Sequence, residues 1–306
     1  MSRTEERASQ PGGAPPNRVP AVIRLLRPRQ WAKNVLVFAA PGAAGVLDDP
    51  TQLGKTLIAF AAFCLAASGA YCLNDASDAE ADRQHPKKRR RPVAAGEVSV
   101  AGARRLGVSL LAASLVVSLG VGNLYLLAAV VAYLAITTSY TIWLKHIAVI
   151  DLAAVASGFI IRALAGAAAT QVAVSDWFLI VASFGSLFIV AGKRSAEFEE
   201  ADDGIAHRAV LAEYSPSFLT MIRSVSSGVT LLAYTLFAFE KAHLSTSSLP
   251  WFQLSIVPFT LGVFRYALRL DRGEGGAPED IILGDRTLQV LGLVWALLFA
   301  AGTYAS

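Results

Sequence analysis

The chain has 306 residues, 54% of them hydrophobic and 16% charged, with a mean hydropathy of +0.50. A soluble domain carries about 25% charged residues, so a water-soluble globular protein is excluded and a polytopic membrane protein is expected. The formal net charge of +4 could suggest nucleic acid, but in a membrane protein a basic excess reports topology and the anionic cytoplasmic leaflet, so no nucleic-acid partner is expected.

Residues 1–20 are rich in Pro, Gly and Arg and contain no apolar run, which predicts a disordered tail and not a cleaved signal peptide. Residues 21–306 are read as one transmembrane domain. Its apolar runs reach or approach the roughly 20 residues that a bilayer core demands. They predict an all-α bundle of nine transmembrane helices at 31–47, 53–73, 104–121, 123–143, 148–169, 175–194, 216–239, 250–269 and 286–304. The first is the weakest, because Pro41 and Gly42 interrupt it. Cys64 and Cys72 share a predicted helix; about 12 Å apart along its axis, they are too distant for a disulfide and read as packing residues.

The connections sort by charge. Arg24, Arg27, Arg29 and Lys33 precede the first helix, and Lys87 to Arg91 follow the second. Lys145 follows the fourth, Lys193, Arg194 and Arg208 the sixth, and Arg269, Arg272 and Arg286 flank the last connection. The alternate connections are short and nearly uncharged. By the positive-inside rule the basic set is cytoplasmic, which puts the N-terminus inside and the C-terminus outside. Almost every carboxylate shares the basic side, so one face of the bundle carries the chemistry.

The richest stretch is "LNDASDAEADRQHPKKRRRPVAAGEVS". If the second helix continues, Asp75, Asp78 and Asp82 fall at i, i+3 and i+7, within about 60° of one face, with Asn74 beside Asp78. Aligned carboxylates repel and need compensation. A hard divalent cation, Mg²⁺, suits an oxygen set of Asn74, Asp75, Asp78 and Asp82 and keeps positions open for phosphate oxygens; the plainer alternative is a solvated helix end balanced by the basic run. That run (Lys87, Lys88, Arg89, Arg90 and Arg91) is either a topology signal or a polyphosphate cradle.

These residues resemble the first aspartate-rich motif of the UbiA-type membrane-embedded transferases, Asn-Asp-x-x-Asp-x-x-x-Asp followed by Arg-Pro-x-x-x-Gly. Here it is carried by Asn74, Asp75, Asp78 and Asp82, then Arg91, Pro92 and Gly96. The resemblance implies a UbiA-like nine-helix fold with its active site at the cytoplasmic face, and Mg²⁺ on the aspartates. The family's second motif, Asp-x-x-x-Asp, has no plain counterpart in "AGKRSAEFEEADDGIAHR". Glu197 and Glu199 are the nearest offerings, the latter with Asp203 four residues on, and Lys193 and Arg194 precede them. A weakened acidic arm with an added Lys-Arg pair suits a substrate with more phosphate than a prenyl diphosphate carries.

The stretches from Arg24 to Pro41, from Tyr140 to Gly166, "GKRSAEFEE", and from Pro278 to Arg286 are similar to the phosphoribosyl-transferring branch of that family. The branch implies 5-phosphoribosyl 1-diphosphate from the cytoplasm and a polyprenyl phosphate, decaprenyl phosphate, from the lipid bilayer, for cell-wall arabinan supply. Asp75, Asp78 and Asp82 would be catalytic, with Lys87, Arg89, Lys193 and Arg194 as phosphate contacts and Glu197 a candidate for the second arm. The alternatives are a prenyltransferase acting on a prenyl diphosphate and an aromatic acceptor, and a transporter. A homo-oligomer is compatible with the sequence.

Asp151 and Arg162 lie within the predicted fifth helix, about 16 Å apart and on one side. Ionisable groups at membrane depth usually line a polar cavity, so both are candidate site residues, against pairing with a neighbouring helix. Lys33 and Lys145, each close to a tryptophan, fit interfacial anchoring or phosphate contact equally. Tyr140 is a candidate sugar contact or part of an aromatic belt. The four histidines have no zinc-ligand spacing, and "DRGEGGAP" lacks the Lys-Ser/Thr of a phosphate-binding loop.

Overall fold

The computed structural model describes residues 19–86, 88–202, 209–274 and 277–305. Lys87, Asp203 and Arg208, and residues 1–18 of the expected tail, lie outside them. The α-helices run in chain order as α1 (Ala21–Leu26), α2 (Ala39–Ala43), α3 (Pro50–Ser77), α4 (Ala79–Gln84), α5 (Val100–Ser118), α6 (Tyr125–Ile142), α7 (Ile150–Thr170), α8 (Asp176–Asp202), α9 (Pro216–Leu244), α10 (Trp251–Asp271), α11 (Pro278–Gly284) and α12 (Arg286–Tyr304). A 3-10 segment, Pro28–Phe38, joins α1 to α2.

Several of the long helices begin where the sequence supplies caps. Asp49 accepts from the Thr51 amide ahead of α3, Ser99 from the Gly102 amide ahead of α5, and Ser215 from the Phe218 amide ahead of α9. Pro50 and Pro216 fill first-turn positions that need no amide hydrogen. Asp285 caps α12 through the amides of Thr287 and Leu288.

Seven helices among the described residues are long and apolar enough to cross a membrane: α3, α5 extended to Val121, α6, α7, α8, α9 and α12. Two of the nine expected spans fall short of that description. α10 has 21 residues, but Gln253, Pro258 and Arg265 dilute its apolar character. The run at 31–47 is not one long α-helix: it is 3-10 to Phe38 and then the short α2, which contains the interrupting Pro41 and Gly42.

α3 and α7 are the most buried spans and α12 the least. Their packing relies on small residues: Val37 and Phe63 sit among Ala59, Ala62, Ala66, Ala165 and Ala169, with Leu126 and Val130 from α6. Lipid tails are as apolar as these side chains, so close van der Waals fit, and not water exclusion, holds such helices together. The tightest approach is at Gly166 on α7, where a Cβ would lie 1.8 Å from the Val37 carbonyl oxygen. Gly166→Ala must therefore push the 3-10 segment off α7, at an expected cost of at least about 1–3 kcal/mol. Gly228→Ala, with open space around its Cβ position, should be neutral or stabilising by up to about 1 kcal/mol. Thermal unfolding of both variants in detergent checks the contrast in sign.

Candidate active site

The acidic motif sits where α3 ends. Asp78, at φ −90° and ψ 3°, is a junction between α3 and α4, so the uninterrupted helix expected through Asp82 is broken at its midpoint. The break leaves Asp78 exposed while Asp75 and Asp82 are buried. Those two converge on one guanidinium: Arg91 Nη1 lies 3.3 Å from Asp75 Oδ1 and 2.7 Å from Asp82 Oδ2. Gly96, at φ 77°, turns the loop that carries Arg91. Arg27 Nη2 adds a contact of 2.6 Å to Asp75 Oδ1 and packs over the Tyr71 ring. Two arginines thus supply much of the compensation that aligned carboxylates require. Asn74 is half-buried and its carbonyl accepts from the Asp78 amide.

Fit to a metal can be judged from what these groups leave over. Asp75 Oδ2 is buried with no hydrogen-bond partner, an expensive state for a carboxylate oxygen and one that a hard cation relieves. Among the described residues no three His, Cys, Asp or Glu side chains converge as a ligand set. Mg²⁺ does not need one, since it is commonly held by one or two carboxylates with water and substrate phosphates completing its shell. The Asp75–Asp82 pair fits that role.

A basic cluster adjoins this pair through Arg27 and Tyr71. Lys33 Nζ lies 3.2 Å from Glu279 Oε2 and donates 2.6 Å to Gln30 Oε1, while Gln30 Nε2 donates to Glu279 Oε1. The Tyr71 hydroxyl also reaches Gln30 Oε1, at 3.3 Å. Glu279 comes from α11 in the last connection and is only 7% exposed. Burial opposes its ionisation, yet Lys33 and Gln30 hold its carboxyl below the usual carboxylate range, so it is charged at neutral pH. Deeper in the bundle, Arg162 donates to Asn34 Oδ1 at 2.7 Å, the Gly158 carbonyl at 2.6 Å and the Tyr133 hydroxyl at 3.0 Å. All three partners are neutral, so a buried cation stands with its charge unneutralised by them.

A third cluster gathers where α6, α7 and α8 end or begin. Asp151 and Arg194 are essentially inaccessible, joined by Arg194 Nε to Asp151 Oδ2 at 2.8 Å. Arg194 also binds Glu197 Oε2 at 2.5 Å and the Tyr140 hydroxyl at 3.0 Å, and Lys193 Nζ stands 3.8 Å from Glu197 Oε1. Arg194, expected as a phosphate contact, is enclosed by protein partners here. The Tyr214 hydroxyl donates to Asp151 Oδ1 and accepts from the Val149 amide at 2.7 Å. Val149 is held at φ 68°, ψ −43°, a strained conformation for a β-branched residue.

The structure therefore brings Tyr140, Asp151, Lys193, Arg194 and Glu197 together, and places Lys33 and Arg162 apart from them, with Glu279 and Asn34. Arg89 is exposed on a 3-10 turn and Lys145 is half-buried on another. Lys87 lies outside the described residues. Sequence reasoning missed Arg27, Gln30, Asn34, Tyr71, Tyr133 and Tyr214 as functional groups, and left Glu279 undecided. Two cavities, of about 290 and 330 Å³, open between α8, α9 and α10 and share Thr220 and Arg223; the first is lined by Ser195 and Glu199, next to Arg194 and Glu197 along α8.

Comparison with known proteins agrees with this architecture. The model of the UbiA prenyltransferase family matches residues 35–283. The decaprenyl-phosphate phosphoribosyltransferase of Corynebacterium glutamicum is 42% identical, over 95% of this chain and 89% of its own length. That of Mycobacterium tuberculosis is 45% identical, over 95% and 96%. A UbiA homolog from Archaeoglobus fulgidus, solved with DMAPP and Mg²⁺, superimposes with a TM-score of 0.69 over 93% of this chain and 98% of that one, at 20% identity, which speaks to the fold. The motif at the end of α3, the helical bundle and this full-length likeness agree: the chain belongs to the UbiA prenyltransferase family.

Proposed function

We propose that this integral membrane transferase moves 5-phosphoribose from 5-phosphoribosyl 1-diphosphate to a polyprenyl phosphate, with decaprenyl phosphate as the acceptor, and releases diphosphate. Near-full-length likeness to two decaprenyl-phosphate phosphoribosyltransferases supports the reaction. The observation that carries the reading within the site is the cationic half beside the Asp75–Asp82 pair. Arg27, Lys33 and Arg162 suit a reaction in which both partners carry phosphate.

The acceptor phosphate oxygen forms a bond to ribose C1 as the bond from C1 to the diphosphate oxygen breaks. A lipid phosphate is already ionised at neutral pH, so no general base is required. Asp75 and Asp82, with Asn74 and Asp78 within reach along the chain, would hold Mg²⁺. Bound there, the ion would neutralise charge building on the departing diphosphate. Arg27, Lys33 and Arg162 orient phosphate oxygens, and Tyr140, Lys193 and Glu197 form the floor around the enclosed Arg194.

The topology follows as part of the same reading. α10 is about 31 Å long, and the 3-10 segment with α2 would be about 30 Å if straight, because a 3-10 coil rises about 2.0 Å per residue. Counted with the seven apolar helices they make nine crossings of one domain, with the N-terminus and the site cytoplasmic and the C-terminus outside.

The direct test is diphosphate release by the detergent-purified protein given 5-phosphoribosyl 1-diphosphate. Release should require both decaprenyl phosphate and Mg²⁺, and chelation by EDTA should reduce it to background. Lipid-independent release, or release only with a prenyl diphosphate and an aromatic acceptor, overturns the assignment.

A further inference from the structure

Glu279 is a buried carboxylate paired with a cation, Lys33. Lys33 Nζ pairs with its buried Oε2 at 3.2 Å. Gln30, shared by Lys33, Tyr71 and Glu279, fixes the geometry of all three. Arg27 closes the group from the side of Asp75 through the Tyr71 ring. Glu279 also ties α11, outside the apolar spans, to the 3-10 segment. A carboxylate so placed has the charge and oxygen geometry of one edge of a phosphate.

Building on the phosphoryl-substrate reading of this site, we propose that Glu279 is a specificity-determining stand-in. It occupies the Lys33 ammonium when no phosphate is bound, and a phosphoryl group of the substrate displaces it. The exchange keeps the lysine neutralised while the site is empty, and it sets an affinity threshold. An anion must offer Lys33 more than one carboxylate does, which favours phosphate dianions and diphosphates over carboxylates. After transfer, the returning carboxylate competes with the product for the same ammonium and weakens its hold.

This role has a sign opposite to that of a structural tie. Glu279→Gln keeps the side chain's shape and its bond to Gln30 but removes the competing charge. Inorganic diphosphate titrated calorimetrically into the purified variant, in the presence of Mg²⁺, should bind about fivefold tighter than to the wild type, the scale of a partly screened ion pair. Product inhibition should tighten by the same factor, and kcat should fall if release limits turnover. Lys33→Ala should weaken diphosphate binding, and in the Lys33→Ala/Glu279→Gln double variant the gain should vanish. KM values taken separately for 5-phosphoribosyl 1-diphosphate and for decaprenyl phosphate identify which substrate supplies the displacing phosphate, since only that one should fall.

Weaker, unchanged or undetectable diphosphate binding in Glu279→Gln overturns the proposal, whether or not the enzyme transfers phosphoribose. Tighter binding without transfer activity would preserve it and overturn the assigned reaction instead. If Glu279→Gln does not fold, Glu279→Asp serves: the shorter carboxylate withdraws from Lys33, and the same tightening is expected in smaller measure.

Discussion

Asp82→Asn lowers the rate of diphosphate release by about a thousandfold, the scale of losing a principal electrostatic stabiliser of a leaving group. The variant should still purify as a monodisperse membrane protein. Asn keeps the shape of the side chain, and Arg91 keeps Asp75 at 3.3 Å, so the packing of α3, α4 and the loop survives. What is lost is one of two buried anions at the place proposed for the diphosphate and its cation. Raising Mg²⁺ should restore little, because on the proposed function the missing group is a ligand and not only a charge. Asp78→Asn, assayed beside it, tells whether the exposed carboxylate at the helix break enters the same shell when substrate binds: an equal loss puts it there, and a small loss leaves the cation to the buried pair. A wild-type rate in Asp82→Asn would remove the metal argument altogether.

The residues that made this site legible in sequence were those whose chemistry is tied to spacing. Asp75, Asp78 and Asp82 are periodic, charged and next to an apolar run, with the Asn74 amide beside them, and a chain gains little from aligning carboxylates there unless a cation joins them. The apolar helices were legible for a similar reason, because a bilayer demands length. The 3-10 course of Pro28–Phe38 was not, since hydropathy counts residues and is blind to how tightly they coil. The break at Asp78 was invisible too: nothing in "NDASDAEAD" is a strong helix breaker, and the interruption arises where the chain leaves the membrane and Arg91 folds back on it.

Partners distant in sequence were the other gap. Glu279 lies 249 residues from Gln30 and Arg162 lies 128 from Asn34, and one sequence carries no signal that joins them. Tyr214 stands alone in a loop ahead of α9, and only the strained Val149 turn it secures shows why it is there. Arg27 looked like a topology charge because every arginine near a membrane does. In each case the sequence shows a polar group that needs a partner once buried but not which one.

Asp151→Ala should destabilise the protein by about 3–5 kcal/mol, the usual cost of stranding one member of a buried ion pair, and thermal unfolding in detergent measures it. Asp151 is fully buried and holds two donors, Arg194 Nε and the Tyr214 hydroxyl. Removing it leaves a guanidinium 1% exposed dependent on Glu197 and Tyr140, and frees the Tyr214 hydroxyl and, through it, the strained turn at Val149. Loss of activity in this variant alone would be ambiguous, so the informative partner is Asp151→Leu with Arg194→Met, which replaces the pair by apolar groups of similar size. Such exchanges are often neutral or stabilising, so the double variant should regain most of the lost melting temperature. On the proposed function, turnover should stay far below wild type, because Glu197, and Lys193 through it, lose the arginine that holds them. Recovery of both stability and turnover would reduce the Asp151–Arg194 pair to a structural tie. An unaltered melting temperature in Asp151→Ala would contradict the buried pairing itself.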